Sequence, residues 1–540
     1  MRNYEEAQEV VTMLAEMLWV LRNSRHHAAD VSVRSAAGFA EGGGRAQAVH
    51  RAQVGRWETG RVEVTHALVR RYETVLELPE GQLLAAVDFF SRARQAVRPS
   101  ATLSPAGEPD VEATLVLLER ALADDRMSAL DWDRLSDSLG RMPHAMVRAR
   151  DWERLLRRGI EEVSLHLALD YAQRAEAVAR LAGHPRSGAI VAAMAEEVVA
   201  QPDAPFYNDT LSLLQFTAHP QALSMMFRQL REPTNSSSLR ACLIVLTTLV
   251  KSGRLERDVR LEAARLAVVH LRAGDQPYRV HRGAANLIRA LGPVGTNRLA
   301  TVLTTDDRRV AAAIIRDGRT VSSQAIRESQ QRIRAALDIG SPRPTSREPV
   351  LAQLIATALG ETNEEDRSNA LAVLMISPQS RVLSRVHVAA LVDALRRGDM
   401  VAAHEGLAVL TWMGAGADLE VLEQLALAPR TPADIAQAAA YVIGNTVEPP
   451  SRRRDDRERA VADRVIALAR GPATAPVDAD SEQDRLRGLV YVLGMRDRRD
   501  LLREVADTLL RPLGVGRSGD AAHGIVDWWL DLPGHLRPLR

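Results

Sequence analysis

The sequence predicts an all-α protein, and three observations lead to that prediction. Aromatic residues make up only 4% of the chain, so the core has to be built from alanine, leucine, valine and isoleucine, a set that favours close-packed helices over a β-sandwich. Apolar residues recur every three or four positions along most of the chain, as they do on one face of a helix. No segment shows the convincing alternation of apolar and polar residues that marks a half-buried strand.

The size and charge of the chain limit its organisation and its partners. With 540 residues, it is too long for one core and predicts either three or four units of about 150 residues or a repeat array without a central core. The net charge is only +1, so affinity for nucleic acid would have to come from a local basic patch. Lys251 is the only lysine, and this arginine bias is typical of a GC-rich coding sequence.

Cysteine use and hydropathy exclude several classes of protein. Cys242 is the only cysteine and lies in the apolar run 241–245, so internal disulfides and paired-thiolate metal sites are excluded and a packing role is expected. Residues 1–9 are acidic, unlike a secretion signal. The longest apolar stretches, such as 243–250, are too short to span a bilayer. We expect a cytoplasmic protein with no membrane partner.

About five short helices are predicted near the N-terminus. The first covers residues 4–24 and is followed by a short apolar segment at 33–40, a triple-glycine break at 42–44 and a short helix at about 49–58. A fourth helix follows, and Pro79 separates it from the fifth. The apolar positions that set the first, fourth and fifth periodicities are Ala7, Val10, Val11, Leu14, Leu18, Leu21, Leu68, Tyr72, Val75, Leu76, Leu83, Leu84 and Val87.

A linker is predicted between this region and the rest of the chain, because the stretch 97–111 holds three prolines and a glycine. We therefore divide the chain into an N-terminal domain over 1–96, a linker over 97–111 and a large helical region over 112–540. Beyond the linker, short polar breaks separate one helix from the next. The mixed-sign run SRRRDDRER (451–459) is interpreted as a solvated loop in one of these breaks.

Segments of the large helical region resemble one another weakly. GLAVLTWMGAGADLEVLEQLA (406–426) resembles GLVYVLGMRDRRDLLREVA (488–506), and RACLIVLTTLVKSG (240–253) resembles RGAANLIRALGPVG (282–295) at a spacing of 42 residues. This pattern, in which small and branched apolar residues precede a glycine and a second helix, is similar to HEAT-type repeats. The resemblance implies an α-solenoid of HEAT-like helix pairs, in which stacking buries the apolar face of each pair.

One segment near the N-terminus differs in character from the helices around it. VHRAQVGRWETGR begins at Val49 and combines three arginines, a histidine and a glutamine. Val49, Val54 and Trp57 are spaced to bury one side of a short helix. Arg51 and Arg56 are a little over one turn apart, so we expect them to emerge along a shared edge. Arginine can donate two hydrogen bonds to guanine in the major groove, worth about 1–3 kcal/mol of discrimination, and glutamine can pair with adenine.

This segment resembles the recognition-helix region of the Cro/lambda-repressor-like, or Xre-type, helix-turn-helix family. The shared features are an apolar entry residue, two core positions and the Glu-x-Gly ending at Glu58 and Gly60. LRNSR (21–25) resembles the end of the family's first helix, and LVRRYETVLELPEGQLL (68–84) resembles its fourth and fifth helices. The resemblance implies a transcription regulator that binds double-stranded DNA as a homodimer, is not an enzyme, needs no cofactor and associates with the bacterial nucleoid.

The resemblance also implies which residues contact DNA. The base-reading positions fall on Arg51, Ala52 and Arg56, and His50 matches the polar position that starts the helix and often contacts phosphate. Residues 18–71 hold nine arginines against four acidic residues, so a positive field is expected there. The other residues expected to bind DNA are Arg34, Gln53 and Arg61. We expect the HEAT-like region to supply the dimer contact and to receive a small-molecule, peptide or protein effector, because solenoids offer long concave surfaces.

No catalytic motif is found. The chain lacks a Walker phosphate loop, His404-Glu405 lacks the second histidine of a zinc protease, and GRSGD (516–520) lacks the spacing of a nucleophile elbow. Two other functions stay open. An interaction scaffold is suggested by the near-zero net charge and by the long break at 40–48. A HEAT-type DNA repair protein would share the architecture, but no convergent acidic and aromatic set that could excise a base is found.

Overall fold

The prediction of an all-α protein is confirmed by the computed structural model, which contains helices and no β-strand in the residues that it describes. Those residues are 14–15, 17–19, 21–23, 31–62, 64–94, 109–142, 144, 147–201, 207–217, 219–273, 276–292, 323–336, 348–361, 367–368, 370–371, 374–375, 380–414, 419–470, 476–510 and 517–537. Most of the predicted linker, 97–108, lies outside them.

The helices are short and follow one another closely. In chain order they are α1 (Ala36–Ala40), α2 (Arg51–Trp57), α3 (His66–Val75), α4 (Gln82–Arg94), α5 (Val111–Leu122), α6 (Ala129–Gly140), α7 (Ala149–Leu165), α8 (Ala168–Ala182), α9 (Gly188–Ala200), α10 (Tyr207–Ser212), α11 (Pro220–Arg231), α12 (Ser236–Lys251), α13 (Arg257–Arg272), α14 (Tyr278–Ala290), α15 (Ser323–Ala336), α16 (Glu348–Gly360), α17 (Ser380–Arg396), α18 (Met400–Met413), α19 (Leu419–Leu427), α20 (Ala433–Asn445), α21 (Arg452–Ala469), α22 (Pro476–Met495), α23 (Arg499–Leu510) and α24 (Arg517–Asp531). Short 3₁₀ helices occur at Val31–Arg34, Gly42–Gly44 and Leu213–Phe216.

The chain divides into two compact units. The first comprises 1–164, 169–326 and 341–379, and the second comprises 165–168, 327–340 and 380–540. The described residues 14–94, which we call the head, belong to the first unit together with α5 to α14. No helix in the described part of the chain is long and apolar enough to cross a bilayer.

The first unit packs its later helices in a regular order. Each helix from α9 to α12 contacts the next helix but one. Their buried faces are rich in leucine, valine and alanine, as the low aromatic content predicts. Cys242 is buried on α12, and burial raises the pKa of its thiol to about 12, consistent with the packing role expected of it.

The second unit shows the same order of contacts, since each helix from α18 to α22 packs against the next but one. Glycines allow two of these contacts to be close. A Cβ atom at Gly494 would lie 2.0 Å from the ring of Trp529, and one at Gly444 would lie 2.8 Å from the ring of Tyr491. These two rings also pack against each other, with 6.0 Å between their centroids.

The interpretation of 451–459 as a solvated loop is wrong, because most of this run forms the start of α21. Ser451 accepts a hydrogen bond from the amide of Arg454, at 3.2 Å, and so caps the helix. Arg454 and Glu458 then pair one turn apart, with 2.8 Å between nitrogen and oxygen. The cap and the pair together favour a helix in a run that composition alone describes as polar.

Buried charge fastens the head to the helices that follow it. Arg180 on α8 donates to Asp88 of α4 and to Asp133 of α6, each at 2.6 Å. Glu176 of α8 lies 3.5 Å from the same guanidinium. Three carboxylates therefore surround one arginine where the head meets α6 and α8.

Candidate nucleic-acid interface

Helix α2 forms where the sequence predicts it. Its N-cap is His50, whose Nδ1 accepts a hydrogen bond from the amide of Ala52 at 3.2 Å. At the other end, the hydroxyl of Thr59 donates to the carbonyl of Gly55 at 2.7 Å. The helix is therefore closed at both ends by side chains from within the motif.

The two faces of α2 differ as predicted. Val54 is fully buried, while Val49 and Trp57 are half-buried. The opposite side is exposed, and the exposed residues are His50, Arg51, Ala52, Gln53, Gly55 and Arg56. Six of the seven residues expected to bind DNA, those at 50–53, 56 and 61, are exposed to solvent.

Arg51, Arg56 and Arg61 are exposed, and no acid in the described part of the chain binds them. Among the residues that the structure describes, their guanidinium groups form no ion pair or hydrogen bond. Because arginine is strongly favoured near carboxylates, phosphates or aromatic faces, three uncompensated guanidinium groups within eleven residues leave a surface suited to an anion. Small neighbours, Ala52 and Gly55, leave the backbone between them accessible to a close partner.

Arg34 lies in a different environment from the other predicted residues. It is half-buried in the 3₁₀ helix Val31–Arg34, and its carbonyl accepts a hydrogen bond from the guanidinium of Arg22. Arg45, which is not among the residues predicted to bind DNA, is exposed but forms an ion pair with Glu77. Within the described part of the head, the arginines whose guanidinium groups form neither an ion pair nor a hydrogen bond therefore lie on α2 and in the turn after it.

A buried ion pair anchors the end of α2 from behind. Glu58 binds the guanidinium of Arg22 through both oxygens, at 2.5 and 2.8 Å, and both side chains are almost fully buried. The hydroxyl of Tyr72 donates to the same carboxylate at 3.0 Å. Burial, and next the charge of Glu58, hold the pKa of Tyr72 well above its usual value, so the phenol stays protonated and can donate.

Sequence patterns place Glu58 in a motif but assign it no contact. Its partners lie 36 and 14 residues away, so periodicity cannot identify them. A usable signal is the position of Arg22 in an otherwise apolar stripe, because a buried arginine needs a buried acid.

Residues 40–48 form a loop whose two ends lie close together. The amide of Val49 donates to the carbonyl of Ala40 at 2.8 Å, which joins the two ends of the segment. Gly42, Gly43 and Gly44 have φ values of 79°, 55° and 74°, a left-handed conformation that glycine adopts without strain. The glycines thus make the tight turn of a closed loop.

Arg71 on α3 holds this loop in place. Its guanidinium donates to the carbonyl of Gln47 at 2.5 Å and to the carbonyls of Phe39 and Ala40 at 3.0 Å each. It also lies over the ring of Phe39, 5.7 Å from the centroid, while Phe39 packs against Tyr72 at 4.4 Å. The loop does not cover the exposed side of α2, and α1 and α2 pack directly against each other.

No protein-family model, curated protein or solved structure matches the chain. No group of three or more histidine, cysteine, aspartate or glutamate side chains that could hold a metal ion occurs in the described ranges.

Proposed function

We propose that the protein is a sequence-specific, DNA-binding transcription regulator, with α2 as the helix that enters the major groove. The observation that carries this proposal is the contrast across α2. Its exposed side carries Arg51 and Arg56, which bind no acid among the residues that the structure describes, while Val54 is buried and Glu58 is held in a buried ion pair. A rigid backing with free guanidinium groups is what reading of base edges requires.

The resemblance to Xre-type helix-turn-helix domains supports the same proposal. Packing of α1 against α2 is compatible with such a pair, although ten residues separate the two helices. Members of that family bind as dimers to half-sites about one helical turn apart. We therefore propose that the protein is a homodimer associated with the bacterial nucleoid. The two DNA half-sites that it binds should be related by two-fold symmetry.

The role proposed for the remaining helices is dimerisation or binding of an effector. Contacts between each helix and the next but one, in both α9–α14 and α18–α24, support HEAT-like stacking, because such stacking buries one face of every helix pair. The class of effector stays open between a small molecule, a peptide and a protein.

Selection of bound duplexes from a random library by the full chain tests the proposal. We expect a recovered motif with two half-sites, and we expect Arg51→Ala/Arg56→Ala to lose preference for it over a scrambled duplex. Arg257→Ala/Arg430→Ala removes the same charge from exposed positions elsewhere and serves as the matched control. Recovery of no motif, or equal preference in the α2 variant, would contradict the proposal and favour an interaction scaffold.

A further inference from the structure

The contact between the head and helices α6 and α8 contains one arginine among three carboxylates. The guanidinium of Arg180 on α8 lies 2.6 Å from Asp88 of α4 and 2.6 Å from Asp133 of α6. Glu176, one turn earlier on α8, lies 3.5 Å from the same guanidinium. None of these four side chains is more than 13% exposed. We call the four residues the junction, because they join the head to two helices of the same unit.

The charges of the junction do not balance when every acid is ionised, because three negative charges then face one positive charge. Arg180 stays charged, since the charges of Asp133 and Asp88 raise its pKa above the usual value although burial opposes this effect. Carboxylates that share a buried site cannot all ionise at low cost, so one of them holds a proton to a higher pH than it would in water. The junction therefore contains a carboxyl group that gains or loses a proton in a pH range where exposed carboxylates stay ionised.

Asp88 is the carboxyl group with this property. Burial raises its pKa to about 7, although the charge of Arg180 opposes the rise, and the neighbouring charges of Glu176 and Asp133 add to it. A neutral carboxyl group keeps a carbonyl oxygen that accepts a hydrogen bond, so protonated Asp88 can still bind Arg180. Because Asp88 belongs to the head and the other three residues belong to α6 and α8, its ionisation adds a negative charge at the contact itself.

The turn before α4 packs closely against the same two helices. Gly81 has a φ of 80°, and a Cβ atom there would meet the side-chain amide of Gln173 on α8 and lie 3.2 Å from the side chain of Leu130 on α6. Surfaces packed this closely exclude water, so a charge added beside them is hydrated only when they separate. An ion pair between Glu80 and Arg134, at 3.2 Å, also spans the contact, but both side chains are exposed and such pairs contribute little.

His66, the first residue of α3, is a second titratable group that faces the junction. The charged residues that act on it are Arg70, Asp133, Asp137 and Arg180. Burial, and next the charge of Arg70, lower the pKa of His66 from 6.5, so its contribution to docking of the head is lost as the pH falls below that value. This trend is opposite to that of Asp88, and a test has to separate the two.

We propose that the junction is a pH-sensitive switch, in which the head is held against α6 and α8 while Asp88 is neutral and separates from them more readily once Asp88 is ionised. In the contact the pKa of Asp88 is about 7, whereas its ordinary value is 3.8. Between these values only the docked head keeps the proton, so docking weakens as the pH rises from about 4 to 7 and changes little above that range. The switch goes beyond the proposed function and does not depend on it, because no residue of α2 takes part.

Hydrogen–deuterium exchange of the full chain, measured by mass spectrometry between pH 5 and 8 and corrected for the pH dependence of the intrinsic exchange rates, tests the switch. His66→Gln is included in every variant, because it removes the opposing titration. In this background Asp88→Asn fixes the neutral form, and Glu112→Gln, at an exposed position, is the matched control. Peptides from α4 and α6 report on the contact, and peptides from α12 report on a part of the same unit that holds no residue of the junction.

We expect protection of the α4 and α6 peptides in His66→Gln to decrease about 10-fold per pH unit between pH 5 and 6 and to level off above pH 7. Asp88→Asn should remove this decrease, whereas Glu112→Gln should retain it. An equal decrease in Asp88→Asn would overturn the proposal. The same decrease in the α12 peptides would also overturn it, because the unit would then loosen as a whole rather than at the contact.

Glu176→Gln, in the same background, provides a second measurement that leaves Asp88 in place. Removal of the neighbouring negative charge should let Asp88 ionise more easily, so protection of the α4 and α6 peptides should level off at a lower pH than it does in His66→Gln. A profile that levels off at the same pH would show that the three carboxylates do not act on one another, and the switch would be rejected.

Discussion

Helices α2 and α21 both begin with arginine but differ in how that charge is paired. α2 carries Arg51 and Arg56 in seven residues, and α21 begins with arginine at 452–454. The arginines of α2 have no acid to bind within the described residues, whereas Arg453 and Arg457 of α21 are held by acids on neighbouring elements.

Several ion pairs surround the start of α21. Arg457 contacts Glu423 at 3.1 Å and Glu448 at 2.6 Å, and it is only 4% exposed. Arg453 pairs with Glu420 of α19. Arg453, Arg457 and the acids at 420 and 423 border a groove of about 600 Å³ whose walls carry both signs of charge. An anion entering it would have to displace existing carboxylates.

The difference shows that arginine content alone does not identify a nucleic-acid surface. In this chain, 70 basic residues face 69 acidic ones, so most guanidinium groups can find a carboxylate. The informative feature is a local departure from that balance, and α2 is such a departure.

Removal of the α2 guanidinium groups should have the largest effect, on binding of DNA. At about 1–3 kcal/mol for each specific pairing, Arg51→Ala/Arg56→Ala should weaken binding to the selected duplex by about 2–6 kcal/mol. Arg453→Ala/Arg459→Ala removes two exposed but paired arginines of α21. This variant should bind the selected duplex within about twofold of the affinity of the parent. Equal losses in the two variants would show that general charge, rather than the position of α2, accounts for binding.

Removal of the buried anchor should have the largest effect on stability. Glu58→Ala leaves Arg22 buried without its carboxylate, and breaking a buried pair in this way costs about 3–5 kcal/mol. Urea unfolding of the variant measures the change in the free energy of unfolding. Arg22→Met/Glu58→Leu is the control, because removing both charges together should restore most of the loss. A single variant as stable as the parent would mean that the pair does not hold α2.

Close helix packing in the second unit should be less costly to disturb. Gly494→Ala brings a methyl group to 2.0 Å from Trp529, and overpacking of this kind costs about 1–3 kcal/mol. Gly524→Ala, where the added methyl meets nothing within 4 Å, is the control in the same unit. DNA affinity should be unaffected by either change, and a loss of affinity in Gly494→Ala alone would indicate coupling to the head.

The charge cluster behind the head should respond to pH. Burial raises the pKa of Asp88 from 3.8 to about 7, although Arg180 opposes this effect. Between these two values the folded state holds a proton that the unfolded state has lost, so this group's contribution to stability falls as the pH rises from about 4 to 7. Asp88→Asn should therefore show a flatter decline of the free energy of unfolding between pH 5 and 7. Glu112→Gln, at an exposed position, should not, and parallel profiles for the parent and Asp88→Asn would contradict the prediction.

A buried histidine in the second unit should show the opposite pH trend. Burial lowers the pKa of His387 from 6.5 to about 4, so its contribution to stability is lost as the pH falls below 6.5. His387→Phe should reduce the loss of stability between pH 6.5 and 4.5. No change in that slope would show that the imidazole is not held neutral.

Exposed ion pairs of α21 should have the smallest effect. The side chains of Arg453 and Glu420 are 63% and 72% exposed, and such pairs contribute about 0–1 kcal/mol. Arg453→Ala should therefore change the free energy of unfolding far less than Glu58→Ala does. A comparable loss would mean that the network around α21 acts as a unit.

The parts of the fold that depend on local spacing could be predicted from the sequence. The predicted helix at 49–58 contains α2, and its central valine is buried as expected. The absence of strands in the described ranges agrees with the low aromatic content and the three-to-four residue periodicity. These features follow from contacts within one or two turns, which periodicity records directly.

Features that depend on distant partners could not be predicted. Arg71 closes the 40–48 loop across 24 to 32 residues, and no periodicity links those positions. The helix at 452–469 could not be predicted, because its charged start resembles a loop and the N-cap at Ser451 is not recognised. From its charge, Arg34 is predicted to lie with the exposed arginines, but in the structure it is half-buried.

Because Arg71 holds the two ends of the 40–48 segment together, the length of this segment does not determine where α2 lies. Because its two ends are tied by Val49 and Ala40 and by the Arg71 guanidinium, residues added between Gly43 and Gly44 would extend outward without pushing on the helix. Doubling such a segment costs only about 0.6 kcal/mol in closure entropy. This turn is therefore a position in the head where a fluorophore or a grafted peptide can be carried without moving α2.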